Sequence, residues 1–497
     1  MVNRDENRIM NSGESVITNM SWKFAERITA QLVTFVVSIV LARLLSPSDY
    51  GVISLVMVFI TIANVFVSDG LGAALIQKRS VDSLDYSSAL YFNIGFSIVI
   101  YGVLFIGAPI ITGFFGDNYE DLTPILRVLG LRIIVAAINS VQQAYVSRKM
   151  IFKKFFLATL FGTVASAFVG IWMAYHGYGA WALVGQYLTN TTVDTIVLAI
   201  VLHKRPTFAF SIVRVKKLFD YGIEILGSGL LIVTYTEIRS FIIGKVYTSS
   251  DLAYYDKARQ FPSIFVNNIV ASISAVLFPK MASEQDDLSQ VKATTKRSIR
   301  FTSYLMCPLM FGLAAVAEPL VRVLLTDKWL QCVPLLQVLC IAYLWQPIHS
   351  ANLQAIKALG RSDIILKLEI VKKCIELVVL IAVMFISVDA IVISMSVNAT
   401  LFVAINAMPV KKLIDYSIKE QIGDMAPSFI ISALMAIIVW LLKYLPISSI
   451  LILVIQVVVG IMIYIGLSMI LKNEEYQYLI DFLKGIRRKK IHKKEAE

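Results

Sequence analysis

Seven charged side chains stand inside apolar runs of this sequence: Arg27, Asp69, Arg132, Glu237, Arg239, Lys257 and Arg259. A charge within hydrocarbon is costly, so it faces a partner or a wet cavity. Counting back from the neighbouring turns at helical rise puts Glu237, Arg239, Lys257 and Arg259 at one depth on adjacent antiparallel helices. Glu237 with Arg259 is the expected ion pair. Arg27 and Asp69 lie about equally deep on an earlier hairpin and form a second expected pair, which leaves Arg132 as the remaining deep cation. Cations outnumber anions at that depth, and a surplus of buried cations suits an anionic ligand. The same groups can also serve as ion pairs that only join helices, or as chains that snorkel to an interface. Snorkelling is the favoured role of Lys23 and Arg43, close to helix ends. Glu318 and Arg322, four apart, are expected to pair along one helix.

Other chemistries find little footing. His176, His203, His349 and His492 are scattered, without a nucleophile–base or metal-ligand arrangement. Cys307, Cys332, Cys340 and Cys374 lack metal-ligand spacing and read as packing residues. No glycine-rich GK[ST] phosphate loop occurs, and every outward connection is too short to carry a catalytic domain, so no enzyme and no cofactor are expected. The net charge of +12 would suit nucleic acid only on a soluble basic face, and here the charge sits in the short loops.

The elements that must position these residues are membrane helices. Hydrophobic residues make up 57% and charged residues 16% of the 497, against roughly 25% charged in soluble domains. Runs of about 20 apolar residues cross a bilayer as helices because every backbone polar group is then satisfied internally. The expected class is all-α and polytopic, with fourteen helices: 22–45, 51–77, 86–113, 122–147, 154–175 and 181–202, then 218–247, 254–280, 298–325, 334–358, 364–386 and 389–408, then 426–445 and 448–471. Residues 1–21 are polar and contain no cleavable signal pattern. Alternate connections carry Lys78-Arg79, Arg148-Lys149, Lys204-Arg205, Lys296-Arg297 and Lys411-Lys412, so the positive-inside rule puts both termini in the cytoplasm and Ser46–Tyr50 outside. Trp22, Trp172, Trp181 and Trp329 fall where interfacial anchors belong. Two readings stand for the tail 472–497: a basic amphipathic segment on an anionic leaflet, or a plain positive-inside terminus.

The chain also repeats itself. The hairpin from Trp22 to Gln77 turns at Ser46-Pro47-Ser48-Asp49-Tyr50-Gly51, and a degenerate copy turns at Thr248-Ser249-Ser250-Asp251. The separation of Ser48 from Ser250 also superposes Phe59 on Phe261 and Leu75 on Leu277. Farther on, Pro124-Ile125-Leu126-Arg127-Val128-Leu129 returns as Pro334-Leu335-Leu336-Gln337-Val338-Leu339. Repeats of six helices enter the membrane alike, so a pseudo-two-fold axis along the membrane normal is expected. The expected lobes are 22–203 and 218–410, joined by a basic linker 204–217. A second linker, 411–425, leads to two extra helices in 426–471.

Leu44-Leu45-Ser46-Pro47-Ser48-Asp49-Tyr50-Gly51, followed by Asp69-Gly70-Leu71-Gly72-Ala73-Ala74-Leu75-Ile76-Gln77, resembles the opening of the bacterial polysaccharide-transporter flippases. Those belong to the multidrug/oligosaccharidyl-lipid/polysaccharide exporter superfamily. Tyr254-Tyr255-Asp256-Lys257-Ala258-Arg259-Gln260-Phe261-Pro262 and Val276-Leu277-Phe278-Pro279 resemble the same family's later segments. The likeness covers Trp22 to about Leu471 and is greatest to exporters of the colanic-acid and teichuronic-acid type. It implies a flippase for an undecaprenyl-pyrophosphate-linked oligosaccharide, working by rocking two lobes, as a monomer among membrane lipids, polysaccharide polymerase and glycosyltransferases. Lipid II flippases and cation-coupled small-molecule antiporters share the superfamily, and a non-transporting scaffold is the alternative of another class. On the flippase reading Arg239, Arg259, Arg132, Lys257 and Arg27 face the diphosphate, Arg as a planar fork and Lys as a point charge. Glu237 and Asp69 serve ion coupling, to Na+ or H+, or ion pairing. Gln31, Asn64, Tyr235, Asn267 and Asn268 are candidate sugar contacts, although a helix–helix hydrogen bond is the commoner role of such groups. The Ser46-Pro47 and Thr248-Ser249 turns are candidates for an outward gate.

Overall fold

The computed structural model describes residues 13–68, 70–116, 119, 121–202, 207–471 and 473–477, with side chains from residue 29 onward except Tyr221. Asp69 and the tail beyond 477 therefore lie outside the described residues, as does the Arg27 side chain. The regular elements described are helical. They are α1 (Gly13–Leu44), α2 (Pro47–Ser68), α3 (Gly70–Gln77), α4 (Ser83–Phe115), α5 (Leu122–Lys149), α6 (Phe152–Tyr175), α7 (Trp181–Leu202) and α8 (Ile212–Val246), followed by α9 (Ser249–Ser283) and α10 (Leu288–Leu324). The remaining long helices are α11 (Cys332–Leu344), α12 (Gln346–Ala358), α13 (Ser362–Val383), α14 (Val388–Ile414), α15 (Ile418–Leu441) and α16 (Ser449–Ile470).

Among the described residues eleven spans are long and apolar enough to cross a membrane, with Pro47–Gln77 and Cys332–Ala358 each counting as one. Each of the other three expected segments is helical too. In α1 the apolar part is Thr29–Leu44. Helix α7 is diluted by Gln186, Asn190 and Asp194, and α13 by Lys367, Glu369, Lys372, Lys373 and Glu376.

Helix ends are fixed by short side chains that satisfy orphan backbone donors. Before α2, Asp49 Oδ2 accepts from the Ser46 amide at 2.9 Å and from Ser46 Oγ at 2.6 Å, while the Asp49 amide donates to Ser46 Oγ at 3.2 Å. Before α9 the pattern recurs: Asp251 Oδ2 accepts from the Thr248 amide at 3.1 Å and from Thr248 Oγ1 at 2.7 Å, and the Asp251 amide returns to Thr248 Oγ1 at 3.2 Å. At the other end of the first hairpin, Arg148 caps α3. Its Nη1 donates to the carbonyls of Leu75 at 3.0 Å and Ile76 at 3.1 Å, the role a cation plays at a helix C-terminus.

The chain divides into two compact units, Met1–Ala253 and Tyr254–Glu497. In unit 1, Leu71, Ala74, Leu75, Ala89, Val141, Ala144 and Leu218 form one core cluster. Leu218 belongs to α8, which packs against α2, α3 and α4. Wholly buried Asp85 reinforces this, with Lys78 Nζ at 2.6 Å and Arg214 Nη1 at 3.3 Å. Tyr119 secures the C-terminal end of α8 by donating to the Gly244 carbonyl at 3.0 Å. Burial raises the Tyr119 phenol above its ordinary pKa, with Asp251 adding to the effect, so the donor proton stays in place.

In unit 2, Tyr304, Val316, Ile431, Met435, Val439 and Tyr464 build the main cluster, and α15 and α16 pack on α10. Tyr464 donates to the Tyr304 carbonyl at 2.7 Å. Cys307, Cys332 and Cys340 are buried free thiols, whereas Cys374 is exposed. Trp329 departs from expectation: it is not an interfacial anchor but fully buried, edge-on to Tyr254 with ring centroids 5.9 Å apart. The Tyr254 hydroxyl donates to the Lys328 carbonyl at 3.2 Å and folds the loop over the indole. Trp172 is 48% exposed. Glu318 and Arg322 form the expected pair at 3.6 Å.

Candidate functional site

Unit 1 has an open cavity of about 580 Å³ between α2, α3, α5, α7 and α8. Its polar wall consists of two stripes at helical spacing. Arg132, Asn139 and Gln143 come from α5, and Asn190, Thr191 and Asp194 from α7; α2 adds Asn64 and Ser68. Helix α7 reaches this position because α6 offers it Gly162. A Cβ there would lie 3.0 Å from the Asn190 carbonyl oxygen and 3.2 Å from Asp194 Cβ, and small residues permit such approach of membrane helices. Buried Asn93 of α4 sets the other wall by donating to the Val67 carbonyl at 3.0 Å and to Ser140 Oγ at 3.1 Å.

The stripes are knitted together at two levels. Toward the start of α5, Arg132 Nε donates to Thr191 Oγ1 at 2.9 Å, Nη1 lies 3.8 Å from Met57 Sδ, and the guanidinium carbon stands 5.5 Å from the Tyr187 ring centroid. No acid pairs with Arg132 among the described residues. Two turns along, Asn139 Nδ2 donates to Asp194 Oδ2 at 3.0 Å, and Gln143 Nε2 donates to Asn139 Oδ1 at 2.5 Å. Asn64 Oδ1, also on the wall, is buried and has no hydrogen-bond partner among the described residues. The cavity thus has a cationic level at Arg132 and an acidic level where Asp194, Asn139 and Gln143 are linked.

Of the residues singled out in the sequence, Arg132 and Asn64 line this cavity. Gln31 lies on α1, and Tyr235, Glu237 and Arg239 lie on α8; none of the four belongs to the lining. Arg239 is 8% exposed, with its guanidinium carbon 5.8 Å from the Tyr235 ring centroid. Lys257, Arg259, Asn267 and Asn268 belong to the part of α9 in unit 2. There Lys257 Nζ stands 3.4 Å from Gln260 Oε1 and 5.8 Å from the Trp329 ring centroid. Arg259 Nη2 meets Asp256 Oδ1 at 3.5 Å, an ion pair within its own helix. Asn268 Nδ2 bonds back to the Ile264 carbonyl at 2.7 Å, and Asn267 is exposed. The expected Arg27–Asp69 pair falls outside the described residues.

Asp194, Asn139, Gln143, Asn190 and Thr191 were not anticipated. Their signal is a polar stripe of period 3.6 inside an apolar helix. Unit 2 holds a smaller polar cluster, in which His349 Nε2 lies 3.1 Å from the Ala399 carbonyl and His349 Nδ1 3.0 Å from Asn406 Nδ2.

A model of the family described as "Polysaccharide biosynthesis protein" matches residues 40–334, more than half of the chain. The succinoglycan biosynthesis transport protein ExoT of Rhizobium meliloti (strain 1021) is 24% identical over 331 residues, 67% of each chain. The lipopolysaccharide biosynthesis protein WzxC of Escherichia coli (strain K12) is 22% identical over 367 residues, 73% of this chain and 74% of its own. The teichuronic acid biosynthesis protein TuaB of Bacillus subtilis (strain 168) is 25% identical over 304 residues, 61% of this chain and 62% of its own. Among solved structures, the lipid II flippase MurJ in an inward closed conformation superposes with a TM-score of 0.74 at 15% identity, covering 93% of this chain and all of that one. An inward-facing multidrug resistance MATE family transporter of the MOP superfamily gives 0.62 at 15% identity, covering 78% and 96%. At such identities the structural likeness is one of fold. The resemblance seen in the Ser46–Gly51 and Asp69–Gln77 segments is thereby borne out: this multi-pass helical membrane protein belongs to the polysaccharide biosynthesis protein family.

Proposed function

We propose that the protein is a flippase carrying an undecaprenyl-pyrophosphate-linked oligosaccharide from the inner to the outer leaflet of a bacterial cytoplasmic membrane. The observation that carries this reading is the cavity of unit 1, where carboxamides, hydroxyls and a guanidinium gather inside apolar helices. A sugar chain stripped of water costs several kcal/mol for each polar group left unpaired, and this wall offers replacement hydrogen bonds. The names of the relatives from succinoglycan, lipopolysaccharide and teichuronic acid biosynthesis support the cargo class.

In this reading α1, α7 and α13 also span, giving fourteen crossings in two six-helix lobes, 22–203 and 218–410, plus α15 and α16. Both termini are cytoplasmic. The lobes rock about a pseudo-two-fold axis while the lipid tail stays in the bilayer. Arg239, Lys257 and Arg259 serve the diphosphate, with Arg27 nearer the cytoplasm; Glu237 and Asp69 are the groups available for ion coupling. The protein is not an enzyme, and it works as a monomer beside polymerase and glycosyltransferases. The test is genetic. A cell lacking the protein should accumulate lipid-linked oligosaccharide and lose surface polysaccharide, and unchanged surface polysaccharide would overturn the proposal.

A further inference from the structure

We infer that the unit 1 cavity is the subsite for an acidic sugar of the cargo, and that it does not hold the diphosphate. The inference rests on the flippase reading and deepens it. It follows from the charges and donors on the wall. A diphosphate is an acceptor-only group with at least two negative charges, and it needs several cations or a metal to leave water. Among the described residues the lining supplies one cation, Arg132, and the same wall carries the carboxylate of Asp194. Arg132 and Asn139 stand seven residues apart on α5, about 10 Å of rise, and Asn139 holds Asp194 at 3.0 Å. A diphosphate seated on Arg132 would therefore face a like charge across a short, poorly screened distance.

A sugar ring fits the same groups. Its hydroxyls donate as well as accept, so one can satisfy Asn64 Oδ1, which is buried without a partner among the described residues. Others can meet Gln143 and Asp194. Arg132 is already oriented, Nε by Thr191 at 2.9 Å and its face by Tyr187 at 5.5 Å, and its Nη2 edge has no hydrogen-bond partner among the described residues. A neutral sugar gives a desolvated guanidinium no counter-charge. One carboxylate on the ring gives it a bidentate partner.

The test uses the full chain in lipid nanodiscs and saturation-transfer NMR with three probes: glucuronate, glucose and inorganic pyrophosphate. Glucuronate should bind about ten- to a hundredfold better than glucose, the ratio that one charge-assisted contact provides. Arg132→Ala should erase that preference, Arg132→Lys should keep part of it, and pyrophosphate should not displace glucuronate. Gln143→Leu, on the exposed side of the wall, should weaken both sugars alike and serves if Arg132→Ala fails to fold. Displacement by pyrophosphate, equal binding of glucose, or an unchanged preference in Arg132→Ala overturns the inference. Failure of the flippase reading looks different: glucuronate would bind as described while lipid-linked oligosaccharide fails to cross in reconstituted vesicles.

Discussion

The backbone of Gly51 lies so close to Ser249 that a Cβ on Gly51 would fall 1.7 Å from the Ser249 carbonyl oxygen. These residues belong to the two copies of one turn, each capped by the same Ser/Thr–Asp reciprocal bonds. At the far end of the helix pair, a Cβ on Gly222 would fall 2.8 Å from the Gly70 carbonyl oxygen. The seam between the α2–α3 segment and the α8–α9 corner is thus backbone against backbone at both ends. Gly51→Ala should force the Gly51–Ser249 end apart, at a cost of about 1–3 kcal/mol as in other overpacked contacts. A Ser250→Cys reporter should then react several-fold faster with a membrane-impermeant maleimide added outside, and equal reactivity in the two backgrounds would remove the turns from any gate.

Asn139 and Gln143 separate a structural role from a ligand role within one hydrogen-bonded chain. Asn139 is buried and its amide is the donor to Asp194, so Asn139→Leu should lower stability by about 1–3 kcal/mol through the lost hydrogen bond to a carboxylate. Gln143 is exposed toward the cavity, and Gln143→Leu should leave thermal unfolding in detergent within about 0.5 kcal/mol of the parent. Both variants should reduce polysaccharide export. Full export by Gln143→Leu would mean that the carboxamide only braces Asn139.

Asp85 is the hub that joins the start of α4 to the residue after α3 and to α8. It is fully buried, yet its partners Lys78 and Arg214 keep side-chain exposures of 25% and 38%. Asp85→Asn should therefore cost about 1–3 kcal/mol, less than the loss of a wholly buried ion pair. Scanning calorimetry of the purified protein would register it. No change in unfolding temperature would show that water replaces Asp85 at both cations.

Much of this architecture was legible in the chain. Apolar runs and turn residues located the fourteen helical segments, because a membrane helix must satisfy its own backbone. Ser46-Pro47-Ser48-Asp49 and Thr248-Ser249-Ser250-Asp251 read as copies of one turn, and the Ser/Thr–Asp hydrogen bonds of the two are the same. The site was legible only in part. Counting depth along each helix found Arg132, but it cannot tell which way a side chain points, so the pairing of Arg259 with Asp256 one turn away was not foreseen. Asp194 escaped because its helix is judged apolar by its second half; the stripe Asn190–Thr191–Asp194 carries the information as periodicity, not as charge. Trp329 escaped because a loop position does not disclose that Tyr254 folds over it. The α8 packing was hidden as well, since Gly70 and Gly222 report a close approach only once both backbones are placed.

The central claim, that this protein moves a lipid-linked oligosaccharide through a site walled by Arg132, is tested most directly in liposomes. Purified protein is reconstituted with fluorescently labelled undecaprenyl-pyrophosphate oligosaccharide, and a membrane-impermeant quencher reads the fraction reaching the outer leaflet. The account predicts that the parent protein exposes the inner pool and that Arg132→Ala slows exposure at least about tenfold, the loss of one charge-assisted contact. Exposure by the parent no faster than in protein-free liposomes, or an Arg132→Ala rate equal to the parent's, would contradict it.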